Sequence, residues 1–205
     1  MPTPPPIRYD EIAPSPPEGP VDLPALVPGE GPLELDVGFG RGRSFLERAA
    51  SHPEVRVIGV ELKAKWATKV EARREALGLA NARALRADVR ELLARAGPEG
   101  CLARVYLHFP DPWWKKRHGK RRVLGGELLD RLALLLAPGG ELFVQTDVEE
   151  RAEDYARLLE EHPAFEPARA GGFAIDENPF GARSNREVRA EEDGLPVYRL
   201  LARRA

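Results

Sequence analysis

The sequence predicts an α/β protein with a largely parallel β-sheet that is covered by helices on both faces. Two observations support this fold class. From residue 33 onward, short apolar runs alternate with stretches of helical periodicity, as in consecutive strand–helix–strand units. Acidic residues also lie at the C-terminal ends of the predicted strands, and ligands bind at that edge of open parallel sheets.

The first 32 residues have a different composition from the rest of the chain. They contain 11 of the 20 prolines, and proline disfavours both helix interiors and central strands. We therefore predict an extended, partly ordered N-terminal arm over residues 1–32, with a plain flexible tail as the alternative. Residues 33–205 are predicted to form one domain, since a chain of this length holds one ordinary domain and hardly two.

The predicted strands and helices alternate along this domain. Strands are predicted at 33–37, 55–61, 82–86, 102–109 and 141–145. Helices are predicted from residue 44, over 63–78, through the regularly spaced leucines 124, 128, 132 and 135, and over 148–161. Pro138, Gly139 and Gly140 end the leucine-rich helix. A loop rich in Gly and Asn begins at residue 170, and residues 197–201 are predicted as a final, antiparallel strand.

The composition excludes several classes of protein. A formal net charge of −2 excludes a polybasic, histone-like binder, although a local basic patch could still hold nucleic acid. The longest aliphatic run, 132–137, is far shorter than the roughly 20 residues that span a bilayer, and no signal peptide is readable. Cys101 is the only cysteine, and the four histidines show no metal-ligand spacing. We therefore expect a cytoplasmic protein with no membrane segment and no metal.

A glycine-rich loop connects the first strand of the domain to the following helix. It reads Asp36-Val37-Gly38-Phe39-Gly40-Arg41-Gly42, and its glycines let the backbone turn sharply and approach a ligand closely. The spacing differs from the dinucleotide fingerprint G-x-G-x-x-G. A carboxylate two residues before the first glycine would repel a pyrophosphate and suits a cation. S-adenosyl-L-methionine, which carries a sulfonium and an α-ammonium, is therefore the predicted ligand.

Two further acids extend this predicted cofactor site. Glu61, at the end of the second strand, is placed to accept both ribose hydroxyls. Asp88, just past the third strand, could accept the adenine amino group. The alternative interpretation is a tight glycine turn with solvated acids.

The segment after the fourth strand is the most informative. Residues 109–122 read FPDPWWKKRHGKRR. Tandem tryptophans beside Asp111 offer stacking for an extruded base and an acceptor for its edge. The basic residues of this run would hold phosphates in a salt-dependent manner; they are Lys115, Lys116, Arg117, Lys120, Arg121 and Arg122. The alternative is a solvated charged loop with one tryptophan in the core.

At this segment the sequence resembles the bacterial tRNA (guanine-N7-)-methyltransferases, from about residue 33 to residue 203. FPDPWWKKRHGKRR is close to the family signature FPDPWxKxRHxKRR, and Phe143-Val144-Gln145-Thr146-Asp147 is similar to the family segment that ends in T-D. The resemblance implies a Rossmann-like class I methyltransferase fold with a mostly parallel, seven-stranded sheet and a final antiparallel strand. It also implies methyl transfer from S-adenosyl-L-methionine to N7 of a tRNA guanosine in the variable loop.

The resemblance also assigns residues. Four acids match acids of the family's cofactor site: Asp36, Glu61, Asp88 and Asp111. Lys115 and Asp147 match positions that contact the tRNA substrate. The family's T-x-x-E segment reads Ser184-Asn185-Arg186-Glu187 here, which keeps a hydroxyl at its start and a carboxylate at its end. We expect these four residues to contact the substrate, although Asn185 and Arg186 differ from the family pattern.

Asp111 is the candidate catalytic residue. Neutral guanine N7 has a lone pair and no proton, so methylation of N7 needs no general base. We therefore expect Asp111 to hold the guanine edge and to stabilise the positive charge that develops on the ring.

Two other classes of function remain open at this point. One is a non-catalytic RNA-binding module that keeps a nucleotide-shaped fold, and the intact acids weigh against it. The other is a methyltransferase for small molecules, and the basic run weighs against that. The sequence leaves a monomer or a homodimer open, and tRNA is the expected partner.

Overall fold

A computed structural model describes residues 7–110 and 124–205 of the protein. The described strands are β1 (Val21–Asp22), β2 (Leu33–Val37), β3 (Arg56–Glu61), β4 (Ala82–Arg86), β5 (Ala96–Gly97), β6 (Leu102–His108), β7 (Leu136–Thr146), β8 (Phe165–Pro167), β9 (Ala174–Ile175) and β10 (Tyr198–Arg204). The described helices are α1 (Tyr9–Ile12), α2 (Leu23–Leu26), α3 (Arg43–Ser51), α4 (Ala64–Ala76), α5 (Val89–Ala94), α6 (Gly126–Leu135), α7 (Glu149–Glu161) and α8 (Asn185–Glu192).

The central sheet has the strand order β4-β3-β2-β6-β7-β10-β8, and β9 pairs beside β10. Strands β4, β3, β2, β6 and β7 are parallel to one another, whereas β10 is antiparallel to β7. The predicted mostly parallel sheet with a final antiparallel strand is therefore confirmed, and the two-residue strand β9 adds to the seven strands of the main order. The order reverses direction at β2, and ligands bind at such a switch point.

The core explains why the apolar runs form these strands. All five residues of β2 are buried, because helices cover both faces of the parallel sheet. The leucines predicted to share a helix face do so on α6, where Leu128, Leu132 and Leu135 are buried. That helix ends at Leu135 and the chain continues directly into β7, which is longer than the predicted strand because Leu136 already pairs with Leu102 of β6.

Helix α8 lies in a region that the sequence analysis left without a helix. Its N-terminus is a capping box, in which the Ser184 hydroxyl accepts the Glu187 N–H and the Glu187 carboxylate accepts the Ser184 N–H. The S-x-x-E pattern, which resembles a substrate-binding segment of the family, is also the sequence signature of a capping box. The same four residues therefore start a helix.

The segment predicted as an extended arm is packed against the domain over part of its length. Val21, Leu23 and Val27 are buried in the main hydrophobic core, and β1 pairs in parallel with β5. Arg56 secures the segment further, because its Nη1 donates to the carbonyl of Val27 at 3.1 Å. The prolines exclude long helices in this segment, but the apolar residues between them are still buried against the domain. Residues 1–6 lie outside the described residues, and the division of the chain at residue 32 stays a prediction.

Candidate active site

A cleft of about 360 Å³ opens at the carboxyl edge of the parallel strands. One wall is the glycine loop, residues 38–41, with Ser44 at the start of α3. The opposite wall combines residues 146–148, which follow β7, with residues 184–186 at the N-terminus of α8. Residues 108–110, at the end of β6, lie between them. The fold therefore brings together the predicted cofactor loop and most of the predicted substrate segment.

The three predicted loop glycines all have left-handed backbone conformations. The φ angles are +74° at Gly38, +57° at Gly40 and +75° at Gly42, which residues with a side chain rarely adopt. A Cβ at Gly42 would lie 2.6 Å from the nearest methyl carbon of Val70 on α4, whereas a Cβ at Gly38 would meet no atom within 4 Å. Gly42 thus permits close packing of the loop on α4, and Gly38 leaves the wall of the cleft open.

Glu61 fixes the glycine loop to the turn after β3. Its Oε2 accepts the N–H of Gly40 and its Oε1 accepts the N–H of Lys63, both at 2.9 Å. The side chain is largely buried. Each oxygen keeps a second lone pair, so the predicted contact to the ribose hydroxyls stays compatible with these bonds and remains a prediction.

Asp36 lies beneath the cleft, and its surroundings shift its pKa strongly. It is only 2% exposed, and Ser44 Oγ donates to its Oδ2 at 3.1 Å. Oδ1 is buried and has no hydrogen-bond partner among the described residues. Burial raises the pKa of Asp36 to about 7, the Ser44 hydrogen bond opposes the rise, and the negative charges of Glu61 and Glu34 add to it. Ser44, which donates to this carboxyl, lines the cleft, so a cation bound beside Ser44 would favour the ionised form of Asp36.

Asp88 lies at a different place from the acids of the cleft. It is the N-cap of α5, where its Oδ1 accepts the N–H of Arg90 at 2.9 Å. It is partly exposed and does not line the cleft itself. Its predicted contact to the adenine amino group stays a prediction.

Asp147 and Arg186 form an ion pair across the substrate wall. Arg186 Nε donates to Asp147 Oδ2 at 2.8 Å, and Nη2 donates to the same oxygen. The Asp147 side chain is largely shielded, whereas that of Arg186 is half exposed. Both residues and Asn185 line the cleft, so the wall offers one carboxylate, one amide and one guanidinium to a ligand.

Glu187 lies beneath this wall and is completely buried. Its carboxylate accepts hydrogen bonds from Gln145 Nε2 at 2.9 Å, Arg199 Nη2 at 3.1 Å, Ser184 N at 3.2 Å and Asn178 Nδ2 at 3.3 Å. These bonds join α8 to β7, β10 and the preceding loop. The carboxylate therefore forms its hydrogen bonds within the protein interior, and its predicted contact to the substrate stays a prediction.

Gln145 extends the same network to the end of β6. Its Nε2 donates to His108 Nδ1 at 2.7 Å as well as to Glu187, and two acceptors on one side fix the orientation of the amide. Burial lowers the pKa of His108 to about 4, against the opposing effect of Glu187, so the ring is neutral at pH 7. The backbone N–H of Phe109, a residue with φ of +52°, donates to the Gln145 carbonyl at 2.7 Å. The strand end that precedes Asp111 is thus tied to the base of α8.

Several predicted residues lie outside the described ones: Asp111, Lys115, Lys116, Arg117, Lys120, Arg121 and Arg122. Within residues 7–110 and 124–205, no group of three or more His, Cys, Asp or Glu side chains could hold a metal ion. Over the same ranges, every helix is too short or too polar to cross a membrane.

Sequence reasoning missed two side chains that line the cleft, Ser44 and His108, and a third, Gln145, that is hydrogen-bonded to His108 beneath it. The His108 ring is hydrogen-bonded to Gln145 and also lines the cleft. A polar signal existed for Gln145, since it interrupts an apolar strand immediately before Thr146 and Asp147.

The fold and the cleft define a class I S-adenosylmethionine-dependent methyltransferase, with a glycine loop at the switch point of a mostly parallel sheet that ends in an antiparallel strand. The solved structure of the 16S rRNA methyltransferase KamB has the same fold. It superposes with a TM-score of 0.61 at 18% sequence identity, over 88% of this chain and 91% of that chain.

The particular family follows from the sequence comparisons. A family model described as a putative methyltransferase matches residues 30–200. A tRNA (guanine-N(7)-)-methyltransferase of Synechococcus sp. (strain JA-3-3Ab) is 42% identical over 80% of this chain and 69% of its own length. That of Myxococcus xanthus (strain DK1622) is 38% identical over 81% of this chain and 80% of its own. The chain belongs to the tRNA (guanine-N7-)-methyltransferase family.

Proposed function

We propose that this protein transfers a methyl group from S-adenosyl-L-methionine to N7 of a guanosine in the variable loop of tRNA. The observation that carries this proposal is the cleft, in which the glycine loop lies opposite residues 184–186 and Ser44 donates a hydrogen bond to the buried carboxyl of Asp36 beneath it. Family membership supports the choice of tRNA as the substrate and of guanine N7 as the methylated atom.

The cofactor wall would hold S-adenosyl-L-methionine, which supplies an electrophilic methyl group on a sulfonium. The buried, unpartnered Oδ1 of Asp36 fits a cationic ligand, because a nearby positive charge offsets the cost of ionising this carboxyl. The open backbone at Gly38 and Gly40 fits a ligand that lies close to the main chain. Glu61 would orient the ribose and Asp88 the adenine.

The opposite wall would hold the target nucleotide. Ser184, Asn185 and Arg186 line it together with Asp147, so direct contact with the nucleotide is sterically available to them. Glu187 would act from below, by holding the start of α8 in place. The contribution of these residues would be alignment of N7 with the methyl group.

Asp111 and the basic run after it would complete the site. We assign to Asp111 the edge of the guanine and the developing positive charge on the ring, with no proton transfer. Lys115 would contact the nucleotide. The neighbouring basic residues would bind phosphates of the tRNA; they are Lys116, Arg117, Lys120, Arg121 and Arg122.

The surroundings of the reaction follow from its substrate. Transfer RNA is a cytoplasmic molecule in bacteria, so we place the enzyme in the cytoplasm. Both a monomer and a homodimer are compatible with a cleft whose walls come from a single chain.

The deciding experiment uses labelled S-adenosyl-L-methionine and tRNA that lacks N7-methylguanosine. After incubation, the RNA is digested to nucleosides and the labelled nucleoside is identified. We expect the label in N7-methylguanosine. Absence of label in RNA despite RNA binding would favour a non-catalytic RNA-binding module. Methylation of small molecules alone would favour a small-molecule methyltransferase.

A matched pair of variants links this activity to the cleft. Asp36→Asn should reduce labelling strongly because it removes the buried charge beside the cofactor wall. Asp193→Asn removes an exposed carboxylate that pairs only with Arg189 on the surface of α8 among the described residues, and it should label tRNA like the parent. Equal labelling of tRNA by both variants would show that the methyl transfer does not depend on the carboxylate of Asp36.

A further inference from the structure

A second concave surface lies beside the candidate active site, between α3 and α4. This groove has a volume of about 630 Å³. Four basic side chains line it, from the glycine loop and from both helices: Arg41, Arg43, Lys69 and Arg73. Glu47 is the one acidic residue among the described groove-lining side chains. The groove is therefore strongly positive, although the whole protein carries a net charge of −2.

The shape of the groove follows from the helix periodicity and from one glycine. On α4, Trp66, Lys69 and Arg73 are spaced three and four residues apart, so they share a face. Val70 lies on the floor of the groove. Because Gly42 has no side chain, the start of α3 packs directly on Val70, which brings the basic residues of the loop and of α4 to the two sides of one groove.

Most of the positive charge is available to a ligand. Glu47 Oε1 accepts from Arg43 Nε at 3.0 Å, and its Oε2 accepts the backbone N–H of Arg183 at 3.1 Å. Lys69 and Arg73 are exposed, and neither lies within ion-pair distance of a carboxylate in the described parts of the chain. Unpaired cations that converge on a groove favour an anionic ligand.

The groove is continuous with the cleft. Arg41 and Asn185 line both, and the guanidinium of Arg41 lies 5.3 Å from the centre of the Trp66 ring. This contact places the positive end of Arg41 at the boundary between the two concave surfaces.

We propose that this groove binds phosphates of the tRNA strand that flanks the target guanosine. The inference rests on the proposed function, which identifies the RNA as tRNA. The positive charge of the groove and its continuity with the cleft indicate where the RNA binds. Phosphate contacts fix the register of a nucleic acid on a protein without reading its bases. Lys69 and Arg73 would thus set which nucleotide reaches the cleft.

The test is a pair of double variants with the same change in charge. Lys69→Gln with Arg73→Gln removes two cations from the groove. Arg157→Gln with Arg169→Gln removes two exposed cations near β8, at the edge of the sheet opposite to β4 and α4. Equilibrium binding of unmodified tRNA is measured over a series of salt concentrations, together with the binding of S-adenosyl-L-methionine.

We expect the groove variant to bind tRNA more weakly, by on the order of tenfold at 0.1 M salt, and its log–log salt slope to fall by about one to two. The control variant should keep the slope of the parent. Binding of S-adenosyl-L-methionine should be unchanged in both, which also shows that both are folded.

Equal affinity and salt slope in the groove variant, the control and the parent would overturn the inference, even if the parent methylates tRNA. A parent that binds tRNA through the groove but produces no N7-methylguanosine would contradict the proposed function and leave the groove supported. The two failures are therefore distinguishable.

Discussion

Two buried carboxyl groups lie beneath opposite walls of the cleft, and their surroundings differ. Asp36, beneath the glycine loop, receives one hydrogen bond from Ser44 and keeps one oxygen without a partner among the described residues. Glu187, beneath the start of α8, receives hydrogen bonds from side chains of Gln145 and Arg199 and from its own helix cap. Two carboxyl groups that are both buried can therefore differ in the number of hydrogen bonds that they accept.

The difference separates two kinds of function. A buried charge without partners is costly, so it shifts its pKa or gains a ligand. A carboxylate with several donors is stable in place and makes its surroundings rigid. We infer that the wall above Asp36 depends on a ligand for its electrostatic balance, whereas the wall above Glu187 is organised before any ligand binds.

The largest effect expected from this comparison is on stability. Glu187→Ala leaves Arg199 and Gln145 without their buried acceptor, and breaking a buried pair typically costs about 3–5 kcal/mol. Urea unfolding of the cofactor-free protein measures this loss. Glu191→Ala, on the exposed side of α8 and 3.8 Å from Arg199, is the control and should cost less than about 1 kcal/mol. Similar losses in both variants would contradict the organising role of Glu187.

The next effect is on binding of the methyl donor. Asp36→Asn removes the charge beneath the glycine loop, and a hydrogen bond or contact to a charged group contributes about 1.5–3 kcal/mol. Calorimetry should show affinity for S-adenosyl-L-methionine lowered by about 10- to 150-fold. Asp147→Asn, in the opposite wall, should leave this affinity near that of the parent. Parent-like binding by Asp36→Asn would show that the cofactor wall has been assigned to the wrong acid.

The glycine loop allows a comparison within one wall. Gly38→Ala and Gly42→Ala introduce the same left-handed strain, since both φ angles are near +75°. Only Gly42→Ala places its Cβ against Val70, and overpacking of this kind costs about 1–3 kcal/mol more. Thermal unfolding of both variants tests the difference. The additional change Val70→Ala should recover part of the loss in Gly42→Ala and none in Gly38→Ala.

A pH effect should distinguish the two carboxyl groups further. With a pKa of about 7, Asp36 holds a proton below pH 7 in the free protein, and a cationic ligand favours its ionised form. Binding then releases a proton below pH 7, so affinity should rise by up to about tenfold per pH unit towards pH 7 and level off above it. Calorimetry from pH 6 to pH 8 measures this. The slope should disappear in Asp36→Asn, and a slope that persists there would belong to another group.

The smallest effect concerns the cap of α8. Ser184→Ala removes the hydroxyl that accepts the Glu187 N–H at 3.1 Å, and the loss of such a cap costs about 1 kcal/mol. Ser184→Gly should cost only a few tenths of a kcal/mol. If both variants raise the KM for tRNA equally despite this difference in stability, the hydroxyl contacts the substrate as predicted. A KM that follows stability would indicate that capping is its only role.

Much of this architecture was predictable from the sequence, because it depends on local patterns. Apolar runs and turn residues placed β2, β3, β4 and β6 within one residue of their ends, and the loop glycines were recognised from spacing alone. Whether the carboxyl groups of Asp36 and Glu187 have hydrogen-bond partners was not predictable. It depends on contacts between distant residues, such as the bond from Gln145 to Glu187, which are 42 positions apart in the chain.

The misread elements have physical reasons as well. Helix α8 was missed because its S-x-x-E start has two compatible interpretations, a capping box and a substrate segment, and the structure supports the first while the second stays a prediction. The packing of Val21 and Leu23 was missed because proline content dominated the interpretation of residues 1–32. The basic groove was missed because Arg41 and Arg73 are brought together only by the contact of α3 with α4.

The most direct test of the central claim is to map the methylated atom on tRNA under single-turnover conditions. Reduction and aniline cleavage break an RNA chain selectively at N7-methylguanosine, so they report both the atom and its position. We expect one new cleavage site, in the variable loop, with the parent protein, and a much weaker site at the same position with Asp36→Asn. Label in the RNA without cleavage at any guanosine would mean that another atom is methylated, and would contradict the proposed reaction at N7.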